Sequence, residues 1–329
     1  MKAMILAAGG GTRLHPLTHA LPKPMLPVAN LPVMEYVVRL LARHGCDEII
    51  VNLHHLGHTV SDHFGDGRRF GVRVAYSHEE EPVGTAGGVK RVAEFFAGQP
   101  FVVIGGDDLT DIDLGALVDF HRHHGALATI ALTEVPDVSR FGVVVVEENG
   151  RIARFQEKPP PEQALSNLAN TGVYVFQPEI LEFIPPGEFH DFGHQVFPLL
   201  LERGAAFYGY RAGGYWRDVG TPGEYLEANW DVLHGGLAAE LTRGRPNRVR
   251  RGRTCVIARG VVFQPPALLG DAVEIGRGAR IGPLTCIGSG AHIGAGAVVE
   301  KSVVWPGTHV GEGVVLESTI AAPHCTLKP

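Results

Sequence analysis

The chain has 329 residues, 45% of them hydrophobic and 19% charged, with a net charge of −6. That length suits two domains with real cores, and the acidic balance excludes an overall basic field for nucleic acid or anionic membrane, so any anion site has to be local. The opening MKAMILAAGGG is too short for a membrane span and lacks a signal-peptide cleavage pattern, and no other apolar run reaches membrane length. These features predict a cytoplasmic protein with no nucleic-acid and no membrane partner. Cys46, Cys255, Cys286 and Cys325 lie far apart with no C-x-x-C pair, as expected of free thiols in a reducing compartment.

From the N-terminus, KAMILAA reads as a buried strand, and VMEYVVRLLARHG as an amphipathic helix stopped by Gly45. DEIIVNL, VRVAYS, FVVIGGD and ALATIAL follow as strands, with helical stretches TVSDHFG, GGVKRVAEFF and LGALVDFHRHHG between them. This alternation predicts an α/β domain over residues 1–235, a Rossmann-like mixed, mostly parallel sheet that binds ligands at the carboxyl ends of its strands. Residues 236–253, with LTRGRPNRVRRGR, are rich in arginine and poor in apolar residues, and are expected to be a linker.

From residue 254 the helical period vanishes. Ile275, Ile281, Ile287, Ile293 and Val299 recur at every sixth position, and after a slip of one residue Val304, Val310 and Leu316 keep the spacing. An aliphatic residue at every sixth place, with small residues between, predicts short strands stacked into a triangular parallel coil over 254–329, which resembles the C-terminal left-handed parallel β-helix of hexapeptide-repeat proteins. About seventy residues, at three hexapeptides per turn, make about four turns.

Four stretches could carry chemistry. ILAAGGGTRLHPLTHALPKPMLPV puts Gly9, Gly10, Gly11, Arg13 and Lys23 behind the first strand. Glycines let backbone N–H groups approach an anion, and Arg13 offers a planar donor fork. The loop fits neither a Walker A string nor a dinucleotide fingerprint, which would need glycine at Leu14. Taken alone it is equally a glycine-rich turn with solvated cations. Asp107 in VVIGGDDLTDIDL follows a strand at the ligand edge, where a carboxylate can hold Mg²⁺, or Asp107 or Asp108 caps the next element. Glu157 and Lys158 in RFQEKPPP are a sugar-and-phosphate pair or a surface ion pair. Asp218 in GGYWRDVGTPGEY is a second metal carboxylate or an N-cap. His54 and His58 stand at i, i+4 without an obvious third ligand, and His121, His123 and His124 read as a solvated helix end.

The order of GGGTRLHPLT, PKP, VGTAGG, GGDDL, EKP, NTGVYVF and YWRDVGTP resembles the nucleoside-diphosphate-sugar pyrophosphorylases, the sugar-1-phosphate nucleotidyltransferases, over nearly the whole chain. FGDGRRFGVRVAYSHEEEPVGTAGGVK and GDDLTDIDL resemble the bacterial mannose-1-phosphate guanylyltransferase branch. The resemblance implies that NTP, GTP above the others, and a sugar 1-phosphate react to give NDP-sugar and diphosphate with Mg²⁺ as cofactor. It places the nucleotide on Leu6, Ala8, Gly9, Gly10, Gly11, Thr12, Arg13, Lys23, Gly84 and Thr85, with base choice set around Val83 to Gly88. The sugar phosphate falls to Asp107, Gly142, Glu157, Lys158, Asn170 and Thr171, and the metal to Asp107 and Asp218. Arg13, Lys23, Asp107, Lys158 and Asp218 are the implied catalytic set. Glucose 1-phosphate uridylyl, thymidylyl or adenylyl transfer stays open, as do a catalytically silent regulatory subunit and an acyltransferase coil. A coil end or face needs cover, which predicts a homo-oligomer through the β-helix.

Overall fold

The computed structural model describes residues 1–237 and 247–329; of the expected linker, 238–246 lie outside the described residues. Contacts divide the chain into two compact units, Met1–Gly10 with Val37–Trp216, and Gly11–Tyr36 with Arg217–Pro329. The opening loop from Gly11 onward is therefore grouped with the C-terminal coil, although the change of sequence pattern falls near residue 235.

The first unit is built on a nine-stranded sheet. Its strands are β1 (Lys2–Leu6), β2 (Glu48–Leu53), β3 (Arg73–His78), β4 (Phe101–Gly105), β5 (Ala128–Glu134), β6 (Gly142–Val146), β7 (Ile152–Glu157), β8 (Leu168–Phe176) and β9 (Phe207–Arg211). The order is β7-β6-β8-β4-β1-β2-β3, with β5 beside β8 and β9 outside β5. β1 lies parallel between β2 and β4, and β3 extends this parallel core. β8 runs antiparallel to β4 and β5, giving the mixed sheet expected. β1, β2 and β4 are near-continuous apolar runs because both faces are covered: Ala3, Met4 and Ile5 are fully buried, as are Ile49 and Val51, whereas the outer strand β3 is exposed or half-buried along its length. A stack of Phe176, Phe192, Phe197 and Phe207 fills one side of the core. The helices Val33–Arg43, Gly57–Phe64 and Leu114–His123 fall where the apolar spacing put them.

One reading needs correcting. His121 is not part of a solvated helix end. It is fully buried, with Nδ1 2.9 Å from Thr129 Oγ1 and Nε2 3.1 Å from Gln177 Nε2. It continues the buried Leu114, Leu117 and Val118 at helical spacing.

In the second unit three sheets of six, four and four strands form the coil, parallel throughout except for the last pair, where Cys325–Leu327 runs antiparallel to Ile320–Ala322. The hexapeptide aliphatics point inward: Ile275, Ile281, Ile287, Ile293, Val299, Val304, Val310 and Leu316 are all buried. The first rung begins at Val249–Arg250, paired in parallel with Ala267–Leu268, so it starts inside the stretch expected as linker. There Arg253 bonds Asp271 and Arg251 lies over the Phe263 ring, which explains part of the arginine content.

Candidate active site

In the first unit the site residues gather at the carboxyl edge of the parallel strands. Leu6 pairs in register with Gly105, and Gly106 N donates to Leu6 O at 2.9 Å. This sets the loop leaving β1, with buried Ala8 and exposed Gly9 and Gly10, beside the turn that carries Asp107. Asp107 is half-buried and Asp108 is buried. The next helix is capped by Asp113, whose carboxylate accepts from Ala116 N, so neither Asp107 nor Asp108 serves as its cap.

A buried polar chain runs from this loop to the VGTAGG segment. Ala7 N donates to Asn52 Oδ1 at 2.8 Å, Asn52 Nδ2 donates to Glu79 Oε1 at 2.8 Å, and Val83 N donates to Glu79 Oε2 at 3.3 Å. Asn52 and Glu79 are almost fully buried. Beyond it, Ala86 N and Gly87 N both donate to His190 O. Gly84 has φ +79°, and a Cβ there would stand 2.3 Å from the same carbonyl, so the approach requires glycine. Thr85 Oγ1 donates to Asp191 Oδ2 at 2.8 Å.

The sugar-phosphate candidates meet around Tyr174. Glu157 lies opposite Gly142 in register, and its Oε2 occupies the space that a Cβ on Gly142 or Gly193 would take. Lys158 Nζ is 3.2 Å from Glu157 Oε1. Asn170 Nδ2 donates to Tyr174 Oη at 3.0 Å. Burial pushes the Tyr174 phenol up; the Asn170 bond opposes this, while Asp191, Asp108 and Glu157 add to it. Thr171 is turned into the sheet, with its hydroxyl donating to Ala131 O at 2.8 Å, so its side chain serves β8 packing while its carbonyl accepts from Trp216 Nε1. Asn52, Glu79 and Asp191 escaped the sequence reading. Asn52 is the polar residue in the apolar run EIIVNL, and Glu79 opens a glutamate run that looks solvated.

In the second unit Gly11, Thr12, Arg13, Lys23 and Asp218 form one cluster. Gly11 sits at φ +61° with a Cβ position 2.9 Å from Thr18 Cγ2, and Thr18 Oγ1 donates to Gly11 O. Exposed Thr12 opens the short helical turn Thr12–Leu14 that carries Arg13. Lys23, in the turn Lys23–Met25 flanked by prolines, donates from Nζ to Asp218 Oδ1 at 2.9 Å. Arg13 NH2 is 3.7 Å from Asp218 Oδ2. The Lys23 and Asp218 side chains are 11% and 16% exposed and Arg13 is 55% exposed, so one mostly buried cation and one largely exposed cation share one carboxylate. The helix Pro222–His234 is capped by Thr221, leaving Asp218 outside that role.

Asp107 and Asp218 each offer hard oxygen donors. Among the described residues no three His, Cys, Asp or Glu side chains group as a metal cage. A single carboxylate of this kind suits a cation like Mg²⁺, which keeps waters and takes substrate phosphate oxygens in place of an all-protein cage. His54 Nδ1 lies 3.0 Å from Glu79 O.

Residues 2–235 match the Nucleotidyl transferase family, and residues 263–329 match the family described as GMPPB C-terminal domain. The chain is 40% identical to a UTP--glucose-1-phosphate uridylyltransferase of Synechocystis sp. over 325 residues, covering 93% of this chain and 83% of that one. It is 37% identical to a mannose-1-phosphate guanylyltransferase of Mycobacterium tuberculosis over 287 residues, 86% of this chain and 77% of that one. A Bacillus anthracis crystal structure, described as a candidate glucose-1-phosphate thymidylyltransferase in complex with sucrose, superposes with TM-score 0.64 at 27% identity, covering 70% of this chain and 94% of that one.

Proposed function

We propose that this chain, which belongs to the nucleotidyl transferase family and is a sugar-1-phosphate nucleotidyltransferase, transfers GMP from GTP to mannose 1-phosphate, giving GDP-mannose and diphosphate. The observation that carries the choice of base and sugar is the match of residues 263–329 to the GMPPB C-terminal family, alongside the mycobacterial guanylyltransferase. A second reading, UTP with glucose 1-phosphate, is favoured by the uridylyltransferase aligned over 93% of the chain.

The attacking oxygen belongs to a phosphate monoester with a second pKa of about 6, so it is largely dianionic at neutral pH and needs no general base. It adds to the α-phosphorus of the NTP as the bond to the β-phosphate oxygen breaks and diphosphate leaves. The work is to hold polyanions in line and neutralise the leaving charge. Arg13 and Lys23 take triphosphate oxygens, helped by backbone N–H groups of Leu6, Ala8 and Gly9 to Thr12. Lys158 meets the sugar phosphate, while Glu157, Asn170, Gly142 and the Thr171 backbone orient the sugar. Gly84 and Thr85 face the base. Family members use divalent metal ions; Asp107 and Asp218 are the residues that would hold Mg²⁺, which would supply further neutralisation of phosphate charge.

The test is pyrophosphate release across the common NTPs paired with mannose and glucose 1-phosphates. GTP with mannose 1-phosphate gives the highest kcat/KM. UTP with glucose 1-phosphate in first place selects the second reading, and no release from any pair leaves a catalytically silent member.

The coil is proposed to assemble a homo-oligomer, supported by exposed Val256, Val262 and Val315 on its outer faces; light scattering at micromolar concentration checks this. No helix among the described residues is long and apolar enough to cross a membrane, and residence in the cytoplasm is part of the proposal, consistent with four unpaired thiols.

A further inference from the structure

The turn that follows Lys23 is held in an unfavourable backbone conformation. Pro27–Val28 and Leu31–Pro32 pair as a two-residue hairpin, and its loop residues Ala29 and Asn30 have φ of 46° and 64°. Positive φ at both positions is the pattern of a type I′ turn, which selects Asn-Gly or Gly-Gly. Alanine at the first of them is sterically disfavoured, so surrounding structure has to impose the conformation.

What imposes it is a set of buried hydrogen bonds. Ala29 N donates to Asn229 Oδ1 at 2.8 Å. Tyr225 Oη donates to Pro27 O at 2.7 Å, and Trp305 Nε1 donates to Tyr225 Oη at 3.0 Å. Asn30 Nδ2 donates to Ile287 O at 3.0 Å. Tyr225 and Asn229 belong to the helix Pro222–His234, which begins four residues after Asp218. Trp305 and Ile287 belong to the coil. Tyr225, Asn229 and Trp305 are all buried.

We propose that the coil residue Trp305 is a positioning residue for nucleotide binding: through Tyr225 it clamps the Pro27–Asn30 turn and thereby aims Lys23 at Asp218 and the triphosphate. Both partners of the Lys23–Asp218 pair stand on segments fastened to Tyr225, one through Pro27 and the other through the helix itself. The coil thus has a role in the binding site as well as any role in assembly. The inference rests on the reading that Lys23 receives NTP phosphate.

Trp305→Phe keeps an aromatic ring and removes the donor. Losing one buried hydrogen bond corresponds to an effect of up to about tenfold, so KM for GTP rises by up to about that factor, while KM for the sugar 1-phosphate changes by less than about twofold. Adding Ala29→Gly, which makes the turn self-sufficient at positive φ, returns KM for GTP at least halfway. A merely structural role lowers the active fraction and the melting temperature, leaves both KM values in place and gives no rescue; that pattern overturns the proposal.

Amide exchange supplies a readout independent of turnover. Exchange over residues 22–33 is faster in Trp305→Phe, and unchanged exchange there sinks the clamp whatever the activity. Should the variant fail to fold, wild-type protein decides. GTP binding, followed by calorimetry, protects residues 300–308 from exchange because coupling is reciprocal. Binding without protection overturns the clamp, whereas no GTP binding overturns the reading of the site and leaves the clamp to the exchange result over residues 22–33 in Trp305→Phe or, failing that, in Tyr225→Phe, which removes the bond to Pro27; unchanged exchange there overturns it.

Discussion

Lys23 and Asp218 are 195 residues apart in the chain and 2.9 Å apart in the fold. Each is mostly buried, and the same carboxylate also faces Arg13. The lysine and the arginine proposed to take phosphate thus meet at the side chain proposed to take the metal. Asp218→Asn keeps the shape and removes the charge. It is expected to lower unfolding free energy by about 1–3 kcal/mol, as for loss of one partner of a part-buried pair. Pyrophosphate release falls by about 100-fold or more, the scale of losing one charge-stabilising group. Calorimetry and the release assay measure the two effects on the same sample, and full activity would refute the role given to Asp218.

The Asn52–Glu79 chain makes a second prediction. Asn52→Ala leaves Ala7 N and Glu79 Oε1 buried without this partner, a cost of about 1–3 kcal/mol for each unsatisfied group. Because the chain joins the loop after β1 to the VGTAGG segment, KM for the NTP should rise more than KM for the sugar phosphate. Urea unfolding and initial rates together check it; equal changes in both KM values would argue against a link to the nucleotide.

Gly84→Ala drives a methyl group toward the His190 carbonyl, 2.3 Å from the ideal Cβ position. The segment has to lift away from residues 190–192, breaking the bonds from Ala86 N and Gly87 N. NTP binding by calorimetry is expected to weaken at least about tenfold, the scale of one or two lost hydrogen bonds. Gly45→Ala is the control: it also has positive φ, but nothing stands within 4 Å of its Cβ position, and it should cost about 1 kcal/mol of stability without touching NTP affinity.

His121 gives the protein an acid-sensitive core. Burial, with Arg122 adding to it, pushes the ring down to about 4, against about 6.5 in an unfolded chain. Between those values the unfolded state binds more protons, so stability is complete above about pH 6.5 and is lost as pH falls toward 4. The loss is of order 2–3 kcal/mol. Urea midpoints at pH 7, 6 and 5, taken as wild type minus His121→Gln, should show a falling difference; a flat difference would mean that His121 titrates normally in the fold.

The strands of the parallel core and the inward aliphatics of the coil were legible because each is a local period: alternating buried runs in one case, a six-residue repeat in the other. The glycines and charged residues of the loops were legible as types but not as partners. Nothing local links Lys23 to Asp218, since topology alone brings the two segments together. Asn52 and Glu79 hid for opposite reasons. One looked like a stray polar residue in a strand, and the other like part of a solvated acidic run. His121 sat in a histidine cluster that drew attention to composition, while its spacing from Leu117 and Leu114 already pointed inward.

Gly11–Tyr36 and Arg217–Pro329 group into one compact unit. On a ribosome adding 5–20 residues per second, roughly ten to forty seconds separate the emergence of these two parts. Throughout that interval Lys23 and its turn exist without the carboxylate and the coil that shape them. A nascent chain therefore lacks the Lys23–Asp218 pair until Asp218 has emerged and the proposed Trp305 clamp until the coil has, so on the proposed function a product stalled before the coil is expected to bind nucleotide more weakly.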